Sequence, residues 1–267
     1  MTNLCGQQFW RVLKNEAAQV ASDEPLLASY LHACVLGHHN FETSLSFILS
    51  TKISDDVMPA ITIREMFDEA YMMNPSILDA AMQDIQAVIN RDPAVSSYLT
   101  VLTHFKGFQA LQVHRLAHYL WNKGRTQLAL FIQSRNSEVF SIDIHPAARI
   151  GQGVMFDHAT GIVIGETTII EDNVSILQSV TLGGTGNETG DRHPKIRQGV
   201  MIGSGAKILG NIEVGRGSKV GAGSVVLDNV PACVTVVGVP AKIVGEPDCS
   251  MPCESMQQNV LEDKKAD

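Results

Sequence analysis

This sequence lacks several things, and each lack excludes a class of protein. No stretch approaches the roughly 20 apolar residues of a membrane-spanning helix. The N-terminus, Met-Thr-Asn-Leu-Cys-Gly, has neither the basic start nor the apolar stretch of a secretory signal. Cysteine is scarce: Cys5, Cys34, Cys233, Cys249 and Cys253 are odd in number, scattered, and never spaced as CxxC. A disulfide framework or a structural zinc site is therefore not expected, and reduced thiols in a cytoplasm are. Positive charge is also short, with 20 Lys and Arg against 28 Asp and Glu for a net charge of −8, so no nucleic-acid partner is expected. Hydrophobic residues at 45% against 18% charged ones exclude a disordered chain. A soluble, acidic, cytoplasmic protein with no membrane contact is left.

Glycine and aromatics divide the chain. Residues 1–140 hold 14 of the 15 aromatics and 4 of the 22 glycines; residues 141–245 hold 18 glycines and one aromatic, Phe156. Residues 246–267 have neither, and carry six acids against two lysines. The shifts predict a domain boundary near 140 and a flexible acidic tail from 246. In 1–140, the segments starting at Pro25, Ser76 and Gly107 show apolar residues at three- and four-residue spacing, which predicts helices packed on helices. Ser76 reads as a helix cap with Asp79 three residues on, and Asp92-Pro93 as a break. His114 and His118, four apart, share a helical face, but no HExxH-type acid accompanies them, so packing or exposure is expected rather than metal binding.

The second part is periodic. Ile144, Ile150 and Phe156 are six apart; so are Ile164, Ile170, Ile176 and Leu182; so are Ile196, Ile202, Ile208, Val214, Val220 and Val226. Three residues after the twelve that stay in step lie Ala147, Gly153, Ala159, Thr167, Asn173, Ser179, Gly199, Gly205, Asn211, Gly217, Gly223 and Asn229. Eight of these are Gly or Asn, which tolerate a left-handed backbone at a corner. A helix would not carry so many glycines, and an alternating strand has period two. Short parallel strands turning every six residues, three sides to a coil, satisfy both constraints, with each aliphatic stacked inside on its equivalents.

This repeat resembles that of the left-handed parallel β-helix acyltransferases, and within them the serine O-acetyltransferases of cysteine biosynthesis. The resemblance is carried by Asp143-Ile-His-Pro-Ala-Ala, Phe156-Asp-His-Ala-Thr-Gly, Ser175-Ile-Leu-Gln-Ser-Val-Thr-Leu-Gly-Gly-Thr-Gly, Gly190-Asp-Arg-His-Pro-Lys-Ile-Arg and Gly238-Val-Pro-Ala-Lys. Asn74-Pro-Ser-Ile and Arg91-Asp-Pro-Ala in the helical part resemble the same family, and the match spans about residues 10–245. It implies an α+β chain: an N-terminal all-α domain for oligomerisation over 1–140, a left-handed parallel β-helix over 141–245 for catalysis, and the tail over 246–267. The left hand comes from the resemblance alone, since crossovers between parallel strands are normally right-handed.

The period fails twice. The step from Phe156 to Ile164 is two residues too long, and that from Leu182 to Ile196 eight too long. These interruptions contain or adjoin Asp157-His158 and Asp191-Arg192-His193, two of the three β-domain histidines. With the insertions set aside, about 25 positions separate His158 from His193, one coil plus roughly one further side. The two then lie near different corners of one chain, and a trimer would bring them together. The resemblance implies such a shared site and a dimer of trimers.

The acyl-transfer reading assigns roles that the resemblance supports. A serine hydroxyl needs a general base, which is His158, with Asp143 as its partner. Arg192 holds the substrate carboxylate through its planar fork. Asp157, with Asp92 reaching from the helical domain, holds the ammonium. His193 bonds the hydroxyl or steadies the tetrahedral oxyanion. His145, beside Pro146 in a corner, reads as structural. Acetyl-CoA is the co-substrate, along small turns at Gly183, Gly184, Ser204, Gly205, Ala222 and Gly223, with Lys219 and Lys242 at its phosphates; no metal is expected. Gly186–Gly190 reads as a lid over the site. L-cysteine, matching serine at both charged ends, is implied as a feedback inhibitor. Relatives end in an isoleucine that enters O-acetylserine sulfhydrylase; this chain ends in Asp267, so that partner is doubtful.

The alternatives are a related hexapeptide acetyltransferase acting on homoserine or a sugar, a γ-type carbonic anhydrase, and a non-catalytic solenoid. Sugar acetyltransferases lack the long helical domain. The carbonic anhydrase needs three imidazoles, with a pair five residues apart, and none of His145, His158 and His193 forms one. A scaffold has no use for charged motifs at the interruptions.

Overall fold

The computed structural model describes residues 6–186, 189–247 and 251–260. Helices α1 (Gly6–Asp23), α2 (Ala28–Leu31), α3 (Phe41–Ile53), α4 (Ala60–Met73), α5 (Ser76–Arg91), α6 (Tyr98–His104), α7 (Lys106–Asn122) and α8 (Thr126–Phe140) come first. The amphipathic pattern of α5 turns Ile77, Ala81, Ile85 and Val88 inward. Its start differs from expectation. Pro75 is already helical (φ −58°, ψ −22°), and the Ser76 hydroxyl donates to Asn74 Oδ1 (2.7 Å), so Ser76 opens the helix and does not cap it. Its end is as read, with Asp92 closing it before Pro93. Helix α7 is buried along almost its whole length. His114 packs in the interior and His118 Nδ1 meets the Pro146 carbonyl oxygen (2.7 Å).

After α8 the chain coils into a three-faced parallel β-helix. The first face stacks β1 (Asp143–Ile144), β4 (Val163–Ile164), β7 (Thr181–Gly183), β10 (Lys207–Leu209) and β13 (Val225–Val226). The second stacks β2 (Arg149–Ile150), β5 (Ile169–Ile170), β8 (Lys195–Ile196) and β11 (Glu213–Val214). The third stacks β3 (Met155–Phe156), β6 (Ser175–Ile176), β9 (Met201–Ile202), β12 (Lys219–Val220) and β14 (Thr235–Gly238), closed by antiparallel β15 (Ala241–Gly245). Register follows the repeat: Thr181 pairs with Val163 and Val225 with Lys207, each eighteen residues on. The two interruptions lengthen a coil, so that Asp143 pairs with Val163 and Thr181 with Lys207. Of the thirteen aliphatic and aromatic positions, all are buried inside the coil except Ile150, which is half-buried.

The corners depart from the expected composition. Gly153, Asn173, Gly199, Gly205, Gly217 and Gly223 do have positive φ, but so do Ala159 and Ser179, while Asn211 and Asn229 do not. Asn229 serves its corner through its side chain, accepting the Glu213 N–H at 2.8 Å.

A buried polar joint sets the helical part on the coil. Asp84 Oδ2 accepts from Arg115 (2.6 Å) and Gln112 (3.0 Å), and Asp84 Oδ1 from the Val154 N–H (2.9 Å). Arg115 also donates to the Gly151 carbonyl (2.8 Å). Removing either partner would strand a charge in the interior. Closer to the first corner, Gly107 lies on the Phe156 backbone, and Lys106 donates to Thr160 Oγ1.

Part of the tail is packed. Residues 251–260 include a short helix, α9 (Pro252–Ser255), against α5; Cys253 is buried and its carbonyl accepts from Ser175 Oγ (2.9 Å). Arg91 donates to the same hydroxyl (3.1 Å). Composition predicted a flexible segment here because the apolar contacts of Met251, Cys253 and Met256 are too few to show as a period. Residues 261–267, with the expected terminal Asp267, lie outside the described residues. Among the described residues no helix is long and apolar enough to cross a membrane.

Candidate active site

The two interruptions occupy the two corners that flank the first face. Asp157 and His158 follow β3, where the chain turns toward β4; Arg192 and His193 precede β8, beyond β7. One chain therefore carries the two motifs at separate corners, and among the described residues no hydrogen bond or ion pair links His158 to His193.

At the first corner, His158 and Ala159 have consecutive left-handed conformations (φ 55° and 65°). For residues with a Cβ this costs on the order of 1–3 kcal/mol each, and such strain clusters at functional positions. It projects the imidazole outward, 74% exposed, with Nε2 3.8 Å from Asp157 Oδ1. Asp157 is largely covered, and burial, with the Asp92 carboxylate nearby, pushes its carboxyl above the usual aspartate value. Asp92 is thus near enough to act electrostatically on the β-domain corner from the helical part. It also makes the turn, accepting the Ala94 N–H at Oδ1 (2.9 Å).

Asp143 is not bonded to His158. Its Oδ1 accepts from Gln133 (2.7 Å). It nevertheless lies at the correct end of its strand, since it pairs with Val163, the first β4 residue after the His158 corner.

The same corner continues as a stack of turns. Ser179 N–H donates to the Thr160 carbonyl, Gly205 to that of Gln178, and Gly223 to that of Ser204. The space above Gly205 and Gly223 is open: a Cβ on either would meet nothing within 4 Å. Ser204, Gly205, Ala222 and Gly223 therefore lie in turns stacked on the His158 corner, with open space beside both glycines. Lys242, on β15, is exposed. Lys219 differs from expectation. It is 2% exposed, and its Nζ donates to the Asn259 carbonyl (3.1 Å), because residues 251–260 lie over the third face.

At the second corner, Arg192 is held by Glu166 (2.5 Å) and by the Gly190 carbonyl (3.0 Å), which leaves other guanidinium N–H groups for a ligand. His193 is buried, and desolvation together with Arg192 lowers its pKa, which favours the neutral ring. Its imidazole lies flat on Gly165, where a Cβ would fall 2.0 Å from Cδ2 and 2.1 Å from Nε2. Gly184 is next to Nε2 and Gly183 precedes it on β7. His145 packs edge-on against Trp121 (centroids 5.1 Å apart) and accepts the Ala147 N–H, a structural role. Asn187 and Glu188 of the expected lid lie outside the described residues.

The sequence reading passed over Gly165, Glu166 and Thr167, which cradle the second half-site. They carry no local signal, because the partners that define them lie 26 residues on. Among the described residues, no three His, Cys, Asp or Glu side chains gather as metal ligands.

Paired corner motifs on a three-faced coil with a six-residue period define a hexapeptide-repeat acyltransferase. Residues 193–228 match the bacterial transferase hexapeptide family, and residues 9–113 match the family "serine acetyltransferase, N-terminal". The serine acetyltransferase of Salmonella typhimurium is 59% identical over 250 residues, covering 94% of this chain and 92% of that protein. A solved serine acetyltransferase in complex with cysteine is 56% identical with a TM-score of 0.92, covering 94% of this chain and 97% of that one. The Brucella abortus serine acetyltransferase in complex with coenzyme A is 50% identical with a TM-score of 0.89, covering 90% and 96%. The chain belongs to the serine acetyltransferase family, and its coil is the left-handed parallel β-helix.

Proposed function

We propose that this protein transfers the acetyl group of acetyl-CoA to the hydroxyl of L-serine, giving O-acetyl-L-serine and CoA, the first step from serine to cysteine. The observation that carries this is the pair of half-sites at the corners of the first face, in a chain that is 59% identical to a serine acetyltransferase over 94% of its length. His158 takes the hydroxyl proton as the oxygen attacks the thioester carbon, and the proton passes to the departing CoA thiolate. Asp143 is its partner once the exposed imidazole rotates toward β1. Asp157 and Asp92 receive the ammonium. Arg192 receives the carboxylate, and His193 faces the hydroxyl or the developing oxyanion. The turns at Ser204–Gly205 and Ala222–Gly223 present backbone groups to the pantetheine arm, Gly183 and Gly184 do so from the other corner, and Lys242 meets the phosphates. Lys219 joins it only if residues 251–260 move aside.

Because the half-sites are on different corners, a working site needs two chains. A trimer with first faces toward its axis supplies this, and the helical domains pair two trimers into a hexamer. L-cysteine binds at the same charged groups and inhibits; a serine acetyltransferase complexed with cysteine supports this. The cytoplasm is the proposed location, in keeping with the free thiols of Cys34, Cys233 and Cys253. The test is CoA thiol release from acetyl-CoA with L-serine, homoserine and sugars as acceptors. L-serine should exceed sugars by at least about 10²-fold in kcat/KM, since a site built for both charged ends leaves them unpaired with a sugar, and should exceed homoserine, which has both ends and one more methylene, by about 10-fold or more. Equal rates with a sugar would overturn the assignment.

A further inference from the structure

We infer that Thr167 is the positioning residue of the second half-site: it fixes the neutral imidazole of His193 in the tautomer that carries its proton on Nε2. This rests on the placement of His193 in the active site proposed above.

The Thr167 backbone N–H donates to His193 Nδ1 at 3.2 Å. An amide N–H has no lone pair to offer, so Nδ1 must be the bare nitrogen and the ring proton lies on Nε2. The Thr167 hydroxyl is consistent with this. Its Oγ1 accepts the backbone N–H of Arg192 (3.0 Å) and of His193 (3.1 Å), which uses both lone pairs and leaves none for a proton on Nδ1. Its own proton has two acceptors, Nδ1 at 2.9 Å and the carboxylate of Asp191, which Lys195 also holds (2.6 Å). Thr167 thus spends every hydrogen-bonding valence on the returning end of the inserted loop. Gly165 completes the seat, because the ring edge carrying Nε2 occupies the volume a side chain there would need.

The consequence is chemical. With Nδ1 committed, His193 presents an N–H donor at Nε2, next to Gly184. It is suited to donate to a substrate oxygen or an oxyanion and cannot accept a proton there. The two histidines are thereby divided: His158, exposed and unbonded, is free to act as a base, and His193 serves as a donor. In other enzymes an imidazole held in the wrong tautomer loses most of its catalytic effect.

The test uses the full chain with L-serine and acetyl-CoA. Thr167→Val keeps the shape and removes the hydroxyl; it should lower kcat by about 10- to 100-fold, with KM for acetyl-CoA changed by less than about twofold. Thr167→Ser should recover most of kcat. In a His193→Ala background, Thr167→Val should add no further loss, as expected for two residues acting as one unit. Nitrogen NMR of 15N-histidine-labelled protein, with His193 assigned by its absence in His193→Gln, should show Nδ1 bare and Nε2 protonated. A protonated Nδ1, an undiminished kcat in Thr167→Val, or additive losses in the double variant would each overturn the inference. His193→Ala with full activity would instead remove His193 from the site, leaving the tautomer to be read from the spectrum alone.

Discussion

Replacing Gly107 by alanine sets helix propensity against packing, and the two predict opposite signs. Gly107 is in the first turn of α7, where alanine in place of glycine would by itself stabilise by about 1 kcal/mol. The added Cβ, however, would fall 2.1 Å from the Phe156 carbonyl oxygen and 3.0 Å from its carbon. Both atoms are backbone of β3, so no side chain can turn away, and an ordinary contact requires an opening of more than about 1 Å. Overpacking of this kind costs about 1–3 kcal/mol, and here it also moves the strand that leads directly into Asp157-His158. Packing should win. With the helix gain of about 1 kcal/mol set against it, the net loss of up to about 2 kcal/mol should lower the unfolding temperature by up to about 8 °C, at the roughly 2–4 °C per kcal/mol typical of long chains. Its kcat should fall by about tenfold or more, since a 1 Å misplacement can cost about 10²-fold. Gly6→Ala, at the open start of α1 with nothing within 4 Å, is the control and should be neutral or slightly stabilising. Thermal inactivation and steady-state kinetics on the three proteins decide the matter. A Gly107→Ala protein as stable and active as the parent would refute the reasoning that α7 seats this corner.

His158→Ala should lose about 10²–10⁴-fold in kcat with its fold intact, and a loss of only a few-fold would remove it from the role of base. Mixing inactive His158→Ala and His193→Ala chains, dissociated and reassembled, should restore part of the activity, because some interfaces then carry both wild-type histidines; no recovery would argue against a shared site. Asp157 has a folded-state pKa raised by burial and by Asp92, so its ionised form opposes folding: stability is greater below that pKa and is lost as pH rises through it. Asp157→Asn should therefore raise the unfolding temperature at neutral pH while impairing serine binding, with the gain disappearing as pH falls into the carboxylate range.

The coil was legible in the sequence because its cause is local and repeated. A side of six residues can bury one aliphatic and turn once, so each coil restates the same constraint, and the interruptions stand out against it. Asp157-His158 and Arg192-His193 stand out that way, whereas Asp92, which its place before Pro93 marks only as a helix break, was singled out by the family resemblance. What depends on residues distant in the chain had no such signal. Asn229 looked like a left-handed corner, yet it makes its corner through a side-chain bond to Glu213. Lys219 looked like a phosphate ligand until residues 251–260 were seen to cover it. Thr167 looked like one corner among twelve, and only the return of the inserted loop, 26 residues later, sets His193 against it. The sequence by itself determined the period, the shift in composition that divides the chain and where the period is interrupted, since these follow from composition and spacing. The tertiary structure decided which groups meet, that the Thr167 N–H faces His193 Nδ1 and that the two interruptions lie at separate corners of one chain, since hydrogen bonds and steric contacts are made across coils and not along them.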